Sequence, residues 1–296
     1  MNRSLVLALL ALGGCASFID DKAASSTIRI LSKSTEAAQR QRDPELAREA
    51  MPGGIVQLEA FALAYPNRRE FRVMHAEAVC QYAVAFVFDD WEAAAFANRT
   101  DDIDRLGERL TDLLASCADA QLALLPSAWR DAYAKGALGA LLPAMTRDQA
   151  PHVLWLGTTG AVRIAIAPLA HLSTVPAITA VLTRCAAVAP GLRDAEAEIL
   201  LGTLEAALAS VFRDKPDGSA HFARARKLAG EGVLAVDVMY ARGVAVARKD
   251  RALFSQTLER VLATDLDRWP ERRLANGLAR RKAKRYLAAI DTLIAK

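Results

Sequence analysis

The feature that most constrains the fold is a series of apolar segments with helical spacing, separated by proline, glycine or aspartate. No segment of usable length shows the strict alternation of apolar and polar residues that a strand requires. In residues 101–125, for example, one helical face carries Ile103, Leu106, Leu110, Leu113 and Leu114. Alanine and leucine dominate and aromatic residues make up only 6%, a composition that favours helices. The sequence therefore predicts an all-α fold.

Turn signals set the helix boundaries. Asp43 is a good N-cap and Pro44 suits a first turn, whereas Pro52-Gly53-Gly54 predicts a break into two shorter helices. Further helices are predicted at residues 71–88, 101–125, 149–167, 175–189, 194–212, 218–230, 233–247, 251–263 and 270–294.

Two helices have the spacing of the second helix of a tetratricopeptide repeat. Gly218, Phe222 and Ala225 form the better copy, and a looser copy begins at Phe254, 36 residues later. Leu201-Gly202 and Tyr240 are typical of the preceding helix of each pair. We predict a tetratricopeptide-like array of antiparallel helix pairs, with an irregular helical bundle as the alternative.

The N-terminus has the features of an export signal. Arg3 precedes an apolar run at 5–12 that is too short to span a bilayer. The following Leu12-Gly13-Gly14-Cys15 resembles the lipobox of bacterial lipoproteins, in which the cysteine is diacylated; the alternative is a plain signal peptide with an incidental Cys15. We predict a signal peptide at 1–14, a lipidated tether at 15–27 and a single helical domain at 28–296.

The predicted anchor sets the location. We expect no later run to be apolar and long enough to span a membrane, so attachment would depend on the acyl chains at Cys15. Lipoproteins without aspartate after the cysteine resemble outer-membrane ones, and Ala16 stands there. The predicted location is the periplasmic face of the outer membrane.

Charge and motifs exclude several functions. A net charge of +4 is too small to indicate nucleic-acid binding. The sequence contains no nucleophile elbow, zinc-protease motif or phosphate-binding glycine loop, and its four histidines are not spaced as metal ligands. We therefore predict neither an enzyme nor a cofactor.

Three cysteines follow Cys15. Cys80, Cys117 and Cys185 all lie among apolar neighbours and are interpreted as small core residues, with a Cys80–Cys117 bridge as the alternative.

The last helix combines an amide with many cations. Asn276 falls on the apolar stripe, where it either ties the helix to a neighbouring backbone or lines a ligand cavity. The basic run is interpreted as a solvated face, with docking to an acidic partner or to lipid head groups as the minority alternative. It comprises Arg272, Arg273, Arg280, Arg281, Lys282, Lys284 and Arg285.

Trp155 lies close to Gly157 and Gly160 in an apolar helix. The small residues admit either a closely packed helix or a ligand, and the tryptophan is accordingly a core residue or a stacking platform.

Several short motifs follow one another along the chain: Ala47-Arg48-Glu49-Ala50-Met51-Pro52, Leu58-Glu59, Tyr65-Pro66-Asn67, Cys80-Gln81-Tyr82-Ala83, Trp155 with its small neighbours, Gly218 to Ala225, Arg273-Leu274-Ala275-Asn276 and Arg281-Lys282-Ala283. Taken in this order, they resemble the T-component family of tripartite ATP-independent periplasmic (TRAP) transporters. The likeness covers about residues 45–290. It implies a homotrimeric lipoprotein that pairs with the transporter's periplasmic solute-binding protein and offers an apolar cleft to a hydrophobic small molecule.

The sequence hypothesis is a non-enzymatic, lipid-anchored accessory protein of such a transporter, with a general scaffold lipoprotein of the cell envelope as the alternative. The candidate cleft-lining residues are Tyr82, Trp155, Gly157, Gly160, Tyr240 and Asn276.

Overall fold

A computed structural model of the chain describes residues 3–212 and 214–295, with side chains described from residue 21 onward. This part of the chain is built from helices and turns and contains no strand, which confirms the predicted all-α class. The helices are α1 (Arg3–Gln39), α2 (Pro44–Ala64), α3 (Arg69–Tyr82), α4 (Phe88–Phe96), α5 (Thr100–Leu122), α6 (Ser127–Ala134), α7 (Ala150–Ile166), α8 (Pro168–His171), α9 (Val175–Val188), α10 (Glu196–Val211), α11 (Ser219–Ala229), α12 (Leu234–Tyr240), α13 (Arg251–Ala263), α14 (Arg273–Ala288) and α15 (Ile290–Leu293). One π-helical turn joins α3 to α4 (Ala83–Val87) and another follows α12 (Ala241–Ala245).

Successive helices pack as pairs, as the repeat pattern predicts: α2 with α3, α10 with α11, and α12 with α13. The α10–α11 pair shows why the motif has glycines. Gly218 has φ +80° and its Cα faces the carbonyl of Gly202, where a Cβ atom would collide with backbone. Phe222, fully buried, covers Gly202 from the next helix. The two glycines therefore allow the close crossing on which the pair depends.

Helix α7 is the central helix of the largest core. Its apolar residues pack with those of α5, α9 and α10, including Leu154, Leu182 and Leu201. A second core lies between α13 and α14, around Phe254, Leu258 and Tyr286. Both cores consist of side chains that the helical periodicity places on inner faces.

Two boundary predictions have different outcomes. Asp43 caps α2 as predicted, because its side chain accepts a hydrogen bond from the backbone N–H of Glu45 at 2.9 Å. The predicted break at Pro52-Gly53-Gly54 is wrong, since α2 continues through all three residues. Packing of Met51 against the neighbouring helices outweighs the poor helix propensity of this segment. The helix predicted at 270–294 instead divides at Ala289 into α14 and α15.

The cysteines do not all remain separate core residues. Cys80 of α3 and Cys117 of α5 form a disulfide with their Cα atoms 4.9 Å apart, so the alternative interpretation holds for this pair. Cys185 is free and buried. The disulfide fixes α3 against α5 below Trp155.

One apolar segment contradicts the expectation that no run after the signal is long and apolar enough to span a membrane. By length and composition, Pro168–Val188 is the one helical segment in the described residues that could cross a membrane. Only 17% of its most apolar stretch is buried. It contributes Val181, Leu182 and Cys185 to the core and exposes most of its remaining apolar surface, including Leu169.

Helix α1 leads from the predicted signal to the body of the protein. It runs without interruption through the boundaries predicted at residues 14 and 27, and the division at these residues stays a prediction. Asp21 pairs with Arg68 at 2.7 Å, so this part of α1 lies beside the start of α3. The side chain of Cys15, the predicted lipidation site, lies outside the described side chains.

Candidate functional site

A large cavity lies where three elements meet. Its volume is about 740 Å³, and it is bounded by one face of α3, the start of α7 and the loop that follows α9. Helix α3 contributes Arg69, Val73 and Glu77, which are four residues apart and therefore share a face. The loop after α9 contributes the apolar side chain of Leu192. The cavity thus combines an apolar wall with charged groups.

A chain of buried polar groups holds one of these charges in place. The Arg69 guanidinium donates to Nε2 of His152 at 3.0 Å and to the carbonyl of Leu124 at 3.3 Å. His152 in turn donates from Nδ1 to Oε1 of Gln121 at 2.7 Å. The Gln121 amide lies 3.4 Å from Sγ of Cys80, so the chain runs from the disulfide to the cavity wall.

His152 is neutral in this arrangement. Burial and the neighbouring charge of Arg69 lower its pKa to about 4. Because Gln121 accepts from Nδ1, the proton resides there and Nε2 keeps a lone pair for Arg69. The imidazole therefore positions a guanidinium that would otherwise be mobile at the protein surface.

A carboxyl group also lines the cavity. Burial raises the pKa of Glu77, and the charge of Arg193 opposes that shift. Arg193 lies flat over Trp155, with its guanidinium carbon 3.4 Å from the ring centroid, and its Nε donates to Glu196 at 2.6 Å.

The backbone beside Arg193 is unusual. Arg193, Asp194 and Ala195 have φ angles of 49°, 56° and 62°, three successive left-handed residues without a glycine. Such a turn costs free energy at each residue. The Arg193–Trp155 stack and the Arg193–Glu196 ion pair stabilise it.

The six predicted cleft residues do not gather at this cavity. Gly157 contacts Val181 and Leu182, and Gly160 contacts Ile178, so both let α9 approach α7. Trp155 packs under Arg193, close to the cavity residue Glu77.

The remaining three lie elsewhere. Tyr82 accepts a hydrogen bond from Arg109 at 2.9 Å inside another core, and Tyr240 packs edge-on against Phe222. Asn276 accepts from the backbone N–H of Leu234 at 3.2 Å and donates to the carbonyl of Gly232 at 2.9 Å. It thus ties α14 to the start of α12. A ligand-binding role for the six residues stays a prediction.

The basic run of the last helix is largely neutralised within the protein, contrary to the solvated-face expectation. Asp89 of α4 is 1% exposed and receives Arg281, Lys282 and Arg285. Glu92 accepts from Lys282 at 2.9 Å and from Arg285 at 2.6 Å, while Tyr286 donates to its other oxygen at 2.6 Å. We call Asp89, Glu92, Arg281, Lys282 and Arg285 the α4–α14 ion cluster.

The residues of the cavity were present in the sequence without a signal strong enough to assign them. The only sequence signal for Arg69 and Glu77 is that they share one face of the largely apolar α3. Arg147 precedes α7 and His152 lies in its first turn. Their meeting depends on contacts between residues as far apart as 69 and 152. Within residues 21–212 and 214–295, no group of three His, Cys, Asp or Glu side chains is arranged to hold a metal ion.

The family model described as TRAP transporter T-component matches residues 40–294 of the chain, which include every helix of the body from α2 to α15. No curated protein matches the chain.

Proposed function

The chain belongs to the TRAP transporter T-component family, and from this premise we propose that it is a lipid-anchored periplasmic protein that binds the transporter's solute-binding subunit and holds an apolar ligand. The family is an accessory family of a transporter and not a known class of enzyme. The observation that supports the proposal most is the family match over the whole helical body. The scaffold alternative offers no reason for that match.

The proposed anchor is the lipidated Cys15 on the periplasmic face of the outer membrane. The Asp21–Arg68 ion pair holds α1 against the body six residues after Cys15. Six helical residues span about 9 Å. Since Arg69, the neighbour of Arg68, lines the large cavity, the proposal places that cavity at the membrane-facing end of the protein.

The proposed ligand site is the large cavity. A volume of about 740 Å³ lies within the range of small-molecule sites, and Val73, Pro151, Ala189 and Leu192 supply apolar wall. This geometry suits binding, because Glu77 and His152 stand without a nucleophile among the residues that line the cavity.

We further propose a homotrimer. The exposed apolar side chains support it: Leu169 is 94% exposed and Leu172 56%, and Val211 and Phe212 follow at the end of the neighbouring helix α10. Apolar side chains that gather into an exposed patch are typical of protein interfaces. Native mass spectrometry of the purified protein measures the subunit number directly, and a monomer at micromolar concentration would contradict this assembly.

The proposed function is tested by affinity purification from cell envelopes. Cells express the chain with a C-terminal tag, membranes are isolated, and proteins that co-purify are identified by mass spectrometry. The expected result is recovery of a TRAP solute-binding subunit in the membrane fraction. The Cys15→Ser variant should lose membrane fractionation, because it lacks the thiol that carries the acyl chains.

Two outcomes would contradict the proposal. Membrane fractionation of Cys15→Ser equal to that of the wild type would remove the anchor. Repeated recovery of other envelope proteins without a solute-binding subunit would favour the scaffold alternative.

A further inference from the structure

We infer that the large cavity binds amphipathic anions, with a carboxylate held at its rim by Arg69 and Arg147 and an apolar tail lying against Val73 and Leu192. The inference rests on the proposed ligand-binding function and specifies the chemical class of the ligand. Nothing in the family match assigns this cavity or a charge to its ligand.

The first support is the fixed position of Arg69. One terminal nitrogen of its guanidinium is bound to His152 and the Leu124 carbonyl, while its other N–H groups have no hydrogen-bond partner in the described chain. A guanidinium carries five N–H donors. His152, 4% exposed, accepts from Arg69 without neutralising its charge, because the imidazole itself is neutral. A held cation with free donors is suited to a carboxylate.

The second support is Arg147. It lines the same cavity from the loop before α7, and its side chain makes no hydrogen bond or ion pair with the described residues. Most arginines on this protein are paired with carboxylates, including Arg48, Arg68, Arg193 and Arg272. The cavity is therefore lined by two guanidiniums, Arg69 and Arg147, that have no ion-pair partner among the described residues.

The backbone of α7 is not the recognition element. The N–H groups of Ala150 and His152 already bond to the carbonyls of Arg147 and Gln149, and Pro151 has no N–H. Binding of an anion therefore depends on the two guanidiniums. This makes side-chain substitution a direct test.

Two acidic residues limit where the anion can lie. Glu77 lines the cavity where burial disfavours its charge, and Asp148 is exposed next to Arg147. A carboxylate at the rim avoids Glu77, and its tail then follows the apolar wall inward. The arrangement favours one anionic group and a short tail over a dianion that extends into the cavity.

The test compares three probes with the same tail. The full lipidated protein, reconstituted in nanodiscs, is titrated calorimetrically with octanoate, octanamide and octylammonium, and empty nanodiscs provide the blank. Octanoate should bind at least about tenfold more tightly than octanamide, since a charge-assisted hydrogen bond contributes about 1.5–3 kcal/mol. Octylammonium should bind more weakly than either.

The variants assign the preference to the arginines. Arg147→Leu should weaken octanoate binding about tenfold and leave octanamide binding unchanged. Arg130→Leu is the matched control, because Arg130 is exposed on α6, outside the cavity lining, and has no partner in the described part of the chain. Arg69→Leu should also weaken octanoate binding. Because the Arg147 side chain makes no contact in the described chain that stabilises the fold, a folding defect cannot explain the result for Arg147→Leu.

Each other outcome is decisive. Equal binding of octanoate and octanamide would overturn the anion preference while leaving an apolar ligand in place. An Arg147→Leu affinity equal to that of Arg130→Leu would overturn the assignment to the rim. Binding of none of the three probes would refute the inference, whereas recovery of the solute-binding subunit from membranes tests the proposed function independently.

Discussion

Replacing Asp89 by asparagine should destabilise the protein more than any substitution of a surface charge. Asp89 is 1% exposed, and its carboxylate lies 2.5 Å from Arg281 and 3.2 Å from Lys282, with Arg285 also bound. Asp89→Asn keeps the shape of the side chain and removes its charge. Three cations then share the carboxylates of Glu92 and of the exposed Glu45.

The magnitude follows from burial of the cluster. Removing one partner of a buried ion pair costs about 3–5 kcal/mol, because the remaining charge stays desolvated without compensation. Although burial opposes ionisation of Asp89, the charges of Lys282, Arg285 and Arg281 lower its pKa. For a protein of this size the loss corresponds to a decrease in Tm on the order of 10 °C.

The pKa of Asp89 also predicts a pH dependence. A carboxyl group with a lowered pKa in the folded state stabilises the protein above its unfolded-state pKa and loses that contribution as the pH falls. The pKa of Glu92 is lowered as well: burial opposes the shift, and Lys282 and Arg285 outweigh it. The free energy difference between wild type and Asp89→Asn should therefore be largest near neutral pH and decrease below about pH 4.

Urea denaturation followed by circular dichroism measures the effect. Glu45→Gln is the matched control, since Glu45 also binds Arg281, at 2.5 Å, and its side chain is 54% exposed; it should cost less than about 1 kcal/mol. A cost for Asp89→Asn no larger than that of Glu45→Gln would refute the role of burial. Arg285→Met is then made both in the wild type and in Asp89→Asn. If it lowers the free energy of unfolding by the same amount in both backgrounds, the coupling within the α4–α14 ion cluster is refuted.

Three further predictions concern the fold and the cavity. The Cys80→Ala, Cys117→Ala double variant should lose about 4 kcal/mol of unfolding free energy, because the bridge closes a loop of 37 residues; denaturant midpoints in the presence and absence of a reductant check it, and a wild type insensitive to reductant would contradict the bridge. His152 binds a proton more readily in the unfolded chain than in the folded protein, where its pKa is about 4. The free energy of unfolding should therefore fall by about 3 kcal/mol as the pH drops from 6.5 to 4. The same pH profile in a His152→Asn variant would contradict this. Gly218→Ala should lower the free energy of unfolding by more than about 2 kcal/mol, because Gly218 has a left-handed backbone and an added Cβ atom would collide with the neighbouring helix. Gly54→Ala, in open space within a helix, should instead stabilise the protein by up to about 1 kcal/mol. Equal Tm values for the two variants would be inconsistent with the close crossing.

Features that depend on local sequence were predictable. Asp43 and Pro44 begin α2 because capping involves neighbouring residues alone. The Gly218, Phe222 and Ala225 spacing identified α11 and its partner helix, because Gly218 and Phe222 both meet Gly202 of α10.

Features that depend on distant contacts were not predictable. The Pro52-Gly53-Gly54 segment reads as a break, but packing against α3 keeps it helical. The cations of α14 read as a solvated face because Asp89 lies almost 200 residues earlier in the chain. The rim of the cavity likewise joins α3 to the start of α7, and no short motif records that pairing.

We propose that this protein acts by holding a transporter's solute-binding subunit at the membrane. Surface plasmon resonance with the full lipidated protein in immobilised nanodiscs tests it most directly, using the purified solute-binding subunit of the TRAP transporter from the same cell. A solute-binding protein of an ATP-driven importer is the control. We expect saturable binding of the TRAP subunit and no binding of the control. Equal responses for the two proteins would be inconsistent with this role, as would no response to the TRAP subunit at roughly 100 μM, which is 100-fold above the Kd of a micromolar complex.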